Sequence, residues 1–240
     1  MHVSFCMPAY NEETVIAATV SRCLETFAKH DIAGEVVVCN DCSQDGTGRV
    51  LADLQSRHPN LVVVTHEGAN QGYGRALRDA ILASSGDWIA TIDSDGQFAP
   101  EELPRFLEAQ ARSGLDLIVG YRHRKQDSLP RVLADRGLNV LVWAMFGITV
   151  HDCNCAYKLV RGDRLRALKV ESNGYSNPTE TLLKLHFLGV PFVEVEVTHA
   201  KREAGASSLK FVRTAWNFWL FLCYFRKRLI LWRRKVIAEL

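Results

Sequence analysis

The stretch Trp88-Ile89-Ala90-Thr91-Ile92-Asp93-Ser94-Asp95-Gly96-Gln97 sets a short apolar, partly β-branched run directly against two carboxylates. The run reads as a buried strand, and the Asp, Ser and Gly that follow are turn formers, so the chain leaves the sheet at Asp93. The same order recurs on both sides. Residues 3–7, 35–39, 61–65 and 115–120 also read as strands, and 12–29, 46–57, 72–84 and 100–113 carry helical patterns between them. Such alternation predicts an α/β domain with a doubly wound, mostly parallel sheet flanked by helices. The strands end in polar clusters: Pro8-Ala9-Tyr10-Asn11, Asn40-Asp41-Cys42-Ser43, His66-Glu67-Gly68 and Asp93-Ser94-Asp95-Gly96. In open α/β sheets ligands bind beyond the carboxyl ends of the strands, so topology alone places these clusters at a site.

Beyond Tyr121 the alternation weakens. Helices are expected at 131–146 and 178–188, strands at 156–160 and 192–197, and a last helix from about 209 to 235. With 240 residues, 48% of them hydrophobic and 23% charged, the chain suits one globular domain and excludes a disordered one. Net charge is +2, but residues 201–240 hold ten Lys or Arg against two Glu, a local +8 that leaves −6 on the rest. This asymmetry points to an anionic surface as partner. The seven cysteines, odd in number and mostly within apolar runs, read as reduced thiols of a cytosolic protein rather than as disulfides or a zinc site. No secretion leader is expected, because residues 1–7 read as a strand, and no apolar run reaches the roughly 20 residues of a membrane span.

Asp93 and Asp95, alternate residues on a turning chain, can face one hard cation, with the Gln97 amide oxygen as a third ligand. Mg2+ or Mn2+ held there would neutralise a departing diphosphate. As a bland alternative, the segment is a solvated strand-end turn. Glu12 and Glu13 suit a helix start, and Asp41 is offered to a base or ribose, beside a turn and helix cap at 45–47. Asn70-Gln71-Gly72-Tyr73-Gly74-Arg75-Ala76 brings a Gly-rich backbone to a helix N-terminus, suited to lying against a nucleotide sugar.

Taken together, residues 8–13, 40–47, 70–76 and 93–97 resemble, in order and spacing, the inverting family 2 glycosyltransferases, over residues 3 to about 208. Within that family the chain looks most like the dolichyl- or polyprenyl-phosphate sugar synthases. The resemblance implies a GT-A fold, a divalent metal on Asp93, Asp95 and Gln97, and a UDP- or GDP-sugar donor. It implies nucleotide contacts at Pro8, Tyr10, Asn11, Glu12 and Asp41, with Gly72, Arg75, Asp93 and Ser94 completing the donor site. Gly120-Tyr121-Arg122 matches a segment whose Arg faces phosphate. Asp135-Arg136-Gly137-Leu138-Asn139 is similar to a Ser-Arg-Gly-x-Asn stretch, and Arg202-x-x-Gly205-x-Ser207 to a late loop associated with acceptor phosphate. The chain departs from the family at Asn40, at Asp152-Cys153-Asn154-Cys155-Ala156-Tyr157 and at Asn177-Pro178-Thr179-Glu180, on the side of the donor sugar and acceptor.

A phosphate acceptor is already a nucleophile, so the site needs charge neutralisation and alignment, which Arg122, Arg136, Arg202 and Ser207 would supply at the acceptor. A saccharide hydroxyl would instead need a carboxylate base, for which Asp152 and Glu180 are the candidates. A GT-A catalytic unit is expected over 1–208 and an interfacial helix over 209–240. In that helix Trp216, Phe218, Trp219, Phe221, Tyr224, Phe225 and Trp232 are interspersed with two basic clusters. Aromatic and basic residues together suit the headgroup zone of an anionic bilayer on its cytoplasmic face, or alternatively a homo-oligomer contact. A non-catalytic nucleotide-binding scaffold is a further alternative, and no nucleic-acid partner is expected.

Overall fold

The computed structural model describes residues 1–122, 129–200 and 211–240. Its frame is a seven-stranded sheet of order β3-β2-β1-β4-β6-β5-β7, formed by β1 (His2–Ala9), β2 (Ala33–Asn40), β3 (Leu61–Thr65), β4 (Trp88–Thr91), β5 (Leu117–Arg122), β6 (Lys158–Arg161) and β7 (Phe192–Val197). Helices α1 (Ile16–Lys29), α2 (Thr47–Arg57), α3 (Tyr73–Ala83), α4 (Leu103–Ser113), α5 (Leu129–Phe146), α6 (Gly162–Ala167), α7 (Asn177–Phe187) and α8 (Phe211–Arg233) cover its faces.

Alternation along β1 builds two cores at once. Val3, Phe5 and Met7 face the side covered by Ile16, Val20, Leu51 and Phe106, whereas Cys6 faces the side of Ala76, Leu182 and Phe225. Successive side chains of a strand point to opposite faces, and a central parallel strand is buried on both. The expected mixed, mostly parallel sheet is present. β1 pairs in parallel with β2 and β4, β2 with β3, and β5 with β7, while β6 runs antiparallel between β4 and β5.

Two features of this order position the site. The chain winds from β1 outward to β3 and then returns to β4 on the other side of β1, which opens a crevice beyond Ala9, Asn40 and Thr91. The antiparallel register sets Thr91 opposite Lys158, and Thr91 Oγ1 donates to the Ala156 carbonyl at 2.6 Å. Residues 152–157 are thereby laid beside the end of β4.

Several boundaries differ from the sequence expectation. α1 starts at Ile16 rather than at 12, because Asn11 sits at φ 57° and the Glu12 carbonyl accepts the Val15 and Ile16 N–H groups as the first turn. The strand expected at 156–160 is Lys158–Arg161, and the short α6 carried too few residues to show a periodicity. The division expected at residue 208 lies outside the described residues. α8 is packed onto the domain: Leu222, Phe225 and Leu229 are buried, and Phe225 meets the Phe146 ring edge-on at 5.5 Å. Glu171 accepts from Arg228 at 2.8 Å and from Tyr224 Oη at 3.0 Å. No helix among the described residues is long and apolar enough to cross a membrane.

Phe225→Ala should cost about 3–5 kcal/mol, the usual cost of emptying a buried aromatic site. At roughly 2–4 °C per kcal/mol for a chain of this size, melting should fall by about 10 °C. A calorimetric shift under ~2 °C would show that α8 is not part of the core.

Candidate functional site at the carboxyl ends of the strands

Asp93 and Asp95 emerge where β4 leaves the sheet. The turn that carries them is pinned on all sides. Ile92 N–H donates to the Cys6 carbonyl, Ser94 Oγ to the Pro8 carbonyl at 2.7 Å, and Thr19 Oγ1 to the Ser94 carbonyl at 3.1 Å. Gly96 takes φ 76°, a conformation that favours glycine, and Asp95 Oδ1 accepts the Gln97 N–H. Burial, and then the neighbouring Asp95, push the Asp93 carboxyl up to about 6, opposed by the Tyr73 hydroxyl and by the charges of Arg122 and Lys158. Two like charges held close in a poorly solvated turn favour a cation between them. Among the described residues no three His, Cys, Asp or Glu side chains form a metal-holding group. The aspartates would therefore supply the protein's charge, and ligand or water oxygens the remaining positions. A hard oxygen set of this kind fits Mg2+ or Mn2+. The Gln97 side-chain nitrogen donates to the Ala200 carbonyl at 2.9 Å, and Ala200 N–H returns to the Gln97 carbonyl at 2.8 Å. Gln97 thus anchors the chain just before residues 201–210. Arg202 and Ser207 lie outside the described residues.

The wall beside the aspartates is built from the loops after β1, β2 and β3. Asn11 Oδ1 accepts the Gln44 N–H at 2.7 Å, Thr47 Oγ1 accepts the Glu12 N–H at 2.8 Å, and Glu13 accepts the Gly46 N–H at 2.9 Å. Tyr10 remains 42% exposed above this seam. Asp41, expected to face a base or ribose, is only 2% exposed and holds backbone instead. Its Oδ1 accepts Gln71 N–H and its Oδ2 accepts Gly72 N–H, both at 2.8 Å. Gly72 has φ 98°, and a side-chain carbon there would stand 2.5 Å from the Asn173 carbonyl. One at Gly74 would meet the Ser172 carbonyl at 2.0 Å. Both glycines permit close approach of the 172–177 segment, where Asn173 accepts the Gly74 N–H at 2.9 Å. Between them, Tyr73 donates to Asp93 Oδ1 at 2.8 Å and lies against the Tyr175 ring at 5.7 Å. Arg75 points along α3 to Asp79, at 2.6 Å.

On the opposite side Arg122 is folded onto Asp152, with Nε to Oδ2 at 2.6 Å and Nη2 to Oδ1 at 3.0 Å, while Asp135 lies 3.6 Å away. The carboxylates beside it push the Arg122 guanidinium further up against the opposing effect of burial. Glu180, 1% exposed, accepts the Glu171 N–H at 2.9 Å and the Ser172 N–H at 2.7 Å, and pairs with buried Lys184 at 3.0 Å. Both candidate bases are thus engaged in buried pairs. Arg136 is exposed on α5 and has no hydrogen bond or ion pair to the aspartate turn among the described residues.

Tyr73 and Lys158 join the site only in the folded structure. Tyr73 is the middle residue of the Gly72-x-Gly74 stretch, and an aromatic between two glycines is its signal in the sequence. Lys158 is a cation inside a central strand, 1% exposed and lowered in pKa by burial, with its ammonium on the Cys155 carbonyl. A lysine in an apolar run was its only mark.

A profile described as Glycosyl transferase family 2 matches residues 4–166. The undecaprenyl-phosphate mannosyltransferase of Micrococcus luteus is 31% identical over 87% of this chain and 88% of its own length. An undecaprenyl-phosphate 4-deoxy-4-formamido-L-arabinose transferase of Pectobacterium atrosepticum is 27% identical over 88% of this chain. This chain spans about 64% of that relative's length. Among solved structures, glucosyl-3-phosphoglycerate synthase from Mycobacterium tuberculosis, in a complex with Mn2+, UDP-glucose and phosphoglyceric acid, superposes with a TM-score of 0.69. It shares 20% identity and the match covers 92% of this chain and 79% of that one. At that identity the likeness concerns the fold.

Mn2+ binding, followed by electron paramagnetic resonance, should weaken about tenfold from pH 7 to pH 5. Asp93 must be ionised to bind, and its raised pKa means that charge is lost as pH falls through about 6. Tyr73→Phe removes a donor to the ionised form and should move the midpoint upward. Affinity unchanged between pH 5 and 7 would argue against Asp93 as a ligand.

Proposed function

The chain belongs to glycosyl transferase family 2, and we propose that it transfers a sugar, with inversion, from a nucleoside diphosphate sugar to a polyprenyl phosphate. The observation that carries this reading is the acidic pair Asp93 and Asp95 at the crevice beyond β1 and β4, within the matched region. When bound there, Mg2+ or Mn2+ supplies charge neutralisation for the departing diphosphate. The chain's own residues do the rest. Asp41 holds the Gln71–Gly72 backbone, Tyr73 holds Asp93, and Pro8, Tyr10, Asn11 and Glu12 form the nucleotide side of the wall. Gln97, its amide nitrogen held by the Ala200 carbonyl, would offer its amide oxygen as a third ligand. Arg122, Arg136, Arg202 and Ser207 align the acceptor phosphate.

The state of the candidate bases favours a phosphate over a saccharide acceptor. Asp152 is closed on Arg122, and Glu180 on Lys184 and two backbone N–H groups. A carboxylate so engaged is poorly placed to take a proton, and an anionic phosphate requires none to be taken. Undecaprenyl phosphate also stands in the names of the relatives, which supports it as the acceptor proposed here.

A lipid acceptor further suits the outer surface of α8. Trp216, Trp219 and Leu220 are exposed on it, and Leu133, Val140 and Trp143 are exposed on α5. Between the two helices a groove of about 380 Å³ is lined by Met145, Trp219, Cys223 and Ile230, with Arg226 and Lys227 beside it. We assign this face to an anionic membrane surface, met from the cytoplasmic side, in keeping with seven free cysteines.

Purified protein with labelled UDP- or GDP-sugars and undecaprenyl phosphate should yield a solvent-extractable glycolipid. Asp95→Ala should lower that yield roughly a thousandfold, the order expected when a charge-stabilising group is removed. Transfer onto free glycans but not onto the lipid would replace this reading with the saccharide one. Changing Arg226, Lys227, Arg234 and Lys235 together to Ser spares the buried side of α8. At about 1 kcal/mol per basic residue it should weaken binding to anionic vesicles by roughly a thousandfold. Unchanged flotation with a loss of self-association would assign the helix to an oligomer contact.

A further inference from the structure

Behind the donor wall lies a buried relay that the proposed chemistry leaves unexplained. His66 follows β3, and only 8% of its side chain is exposed. Its Nδ1 stands 2.7 Å from Asp41 Oδ1 and its Nε2 stands 2.9 Å from Asp79 Oδ2. Asp79 in turn accepts from Arg75 Nε at 2.6 Å. On the inner side Asp41 accepts the N–H groups of Gln71 and Gly72, and the next residue, Tyr73, donates to Asp93. A continuous path of hydrogen bonds and one short peptide segment therefore runs from exposed Arg75 to the acidic pair.

We propose that His66 is a positioning residue for donor binding: it fixes Asp41, and Asp41 fixes the Gln71–Gly72 turn that presents Tyr73 to Asp93. The assignment rests on the reading above that a nucleoside diphosphate binds beside Asp93 and Asp95. An imidazole flanked by two carboxylates satisfies both only when each ring nitrogen carries hydrogen. The hydrogen on Nδ1 is the one the turn depends on: without it Asp41 Oδ1 would face a lone pair in a poorly solvated place. The other groups around the ring do not take over this task. Cys39 Sγ, on β2, lies 3.4 Å from Nε2, and burial pushes its thiol up to about 12, so it stays neutral. Cys42 donates to the His66 carbonyl, Arg75 serves Asp79, and Glu67 follows in the chain. The turn itself has little latitude, because Gly72 sits at φ 98° against the Asn173 carbonyl. Its shape is set by the two N–H anchors on Asp41.

The two ring contacts can be separated. The amide nitrogen of Asn matches the place of Nδ1, and that of Gln the place of Nε2. His66→Asn therefore keeps a donor toward Asp41, whereas His66→Gln keeps one only toward Asp79. Amide hydrogen exchange on the unliganded protein should show Gln71 and Gly72 exchanging about tenfold faster in His66→Gln and near wild type in His66→Asn, with the sheet core unchanged. Titration with UDP and with GDP, each with Mn2+, should show about tenfold weaker binding for His66→Gln of whichever nucleotide the wild type takes, and near-native binding for His66→Asn. Asp79→Asn, which spares the inner contact, should show a smaller loss than His66→Gln. Exchange and affinity both at wild-type levels in a folded His66→Gln would overturn the proposal, as would equal losses in His66→Asn and His66→Gln. Binding of neither nucleotide to the wild type would defeat the donor reading instead, and the exchange rates would still decide whether His66 holds the turn.

Discussion

Two aspartates held side by side at the end of a buried strand repel each other, and much of the surrounding structure is arranged to keep them there. Neither can relax away, because Ser94 between them is tied to Pro8 at the end of β1 and to Thr19 on α1. Tyr73 donates to Asp93, and the positive charges of Lys158 and Arg122 oppose the rise in its pKa. The charge is moderated but not cancelled. A site left in this condition gains most from a divalent ion and a ligand that brings further oxygens.

The buried ion pairs beside the site also fix its geometry. Arg122 with Asp152, and Lys184 with Glu180, are pairs that would be costly to break singly, because each would leave an unpaired ion in the interior. Glu180 also clamps the backbone at 171 and 172, and that segment does double duty. On one side it meets Gly72 and Gly74 at the donor wall. On the other, Glu171 holds Arg228 and Tyr224 of α8. The helix assigned to the membrane and the turn assigned to the donor are thus braced against the same few residues.

Much of the fold was legible in the sequence. Period-two and period-3.6 patterns identified the strands and most helices, because burying one face of each element is a local requirement written into neighbouring residues. The order of the polar clusters after β1, β2, β3 and β4 likewise placed the crevice. The short α6 has less than two turns over which to show a period, and α1 begins later than its helical pattern, after Asn11 takes a left-handed conformation.

By itself, then, the chain determined an α/β sheet with Asp93 and Asp95 at its carboxyl edge and a basic, aromatic end. Only the tertiary structure decided which partner each polar group would take. Asp41 turned inward to the Gln71–Gly72 backbone and His66, Asp152 closed on Arg122, Glu180 closed on Lys184, and α8 buried Phe225 while exposing Trp216. These pairings join residues distant in sequence, through a strand register and loop contacts that no local pattern encodes. A residue type states what it can bond to, and the fold settles which of the available partners comes within reach.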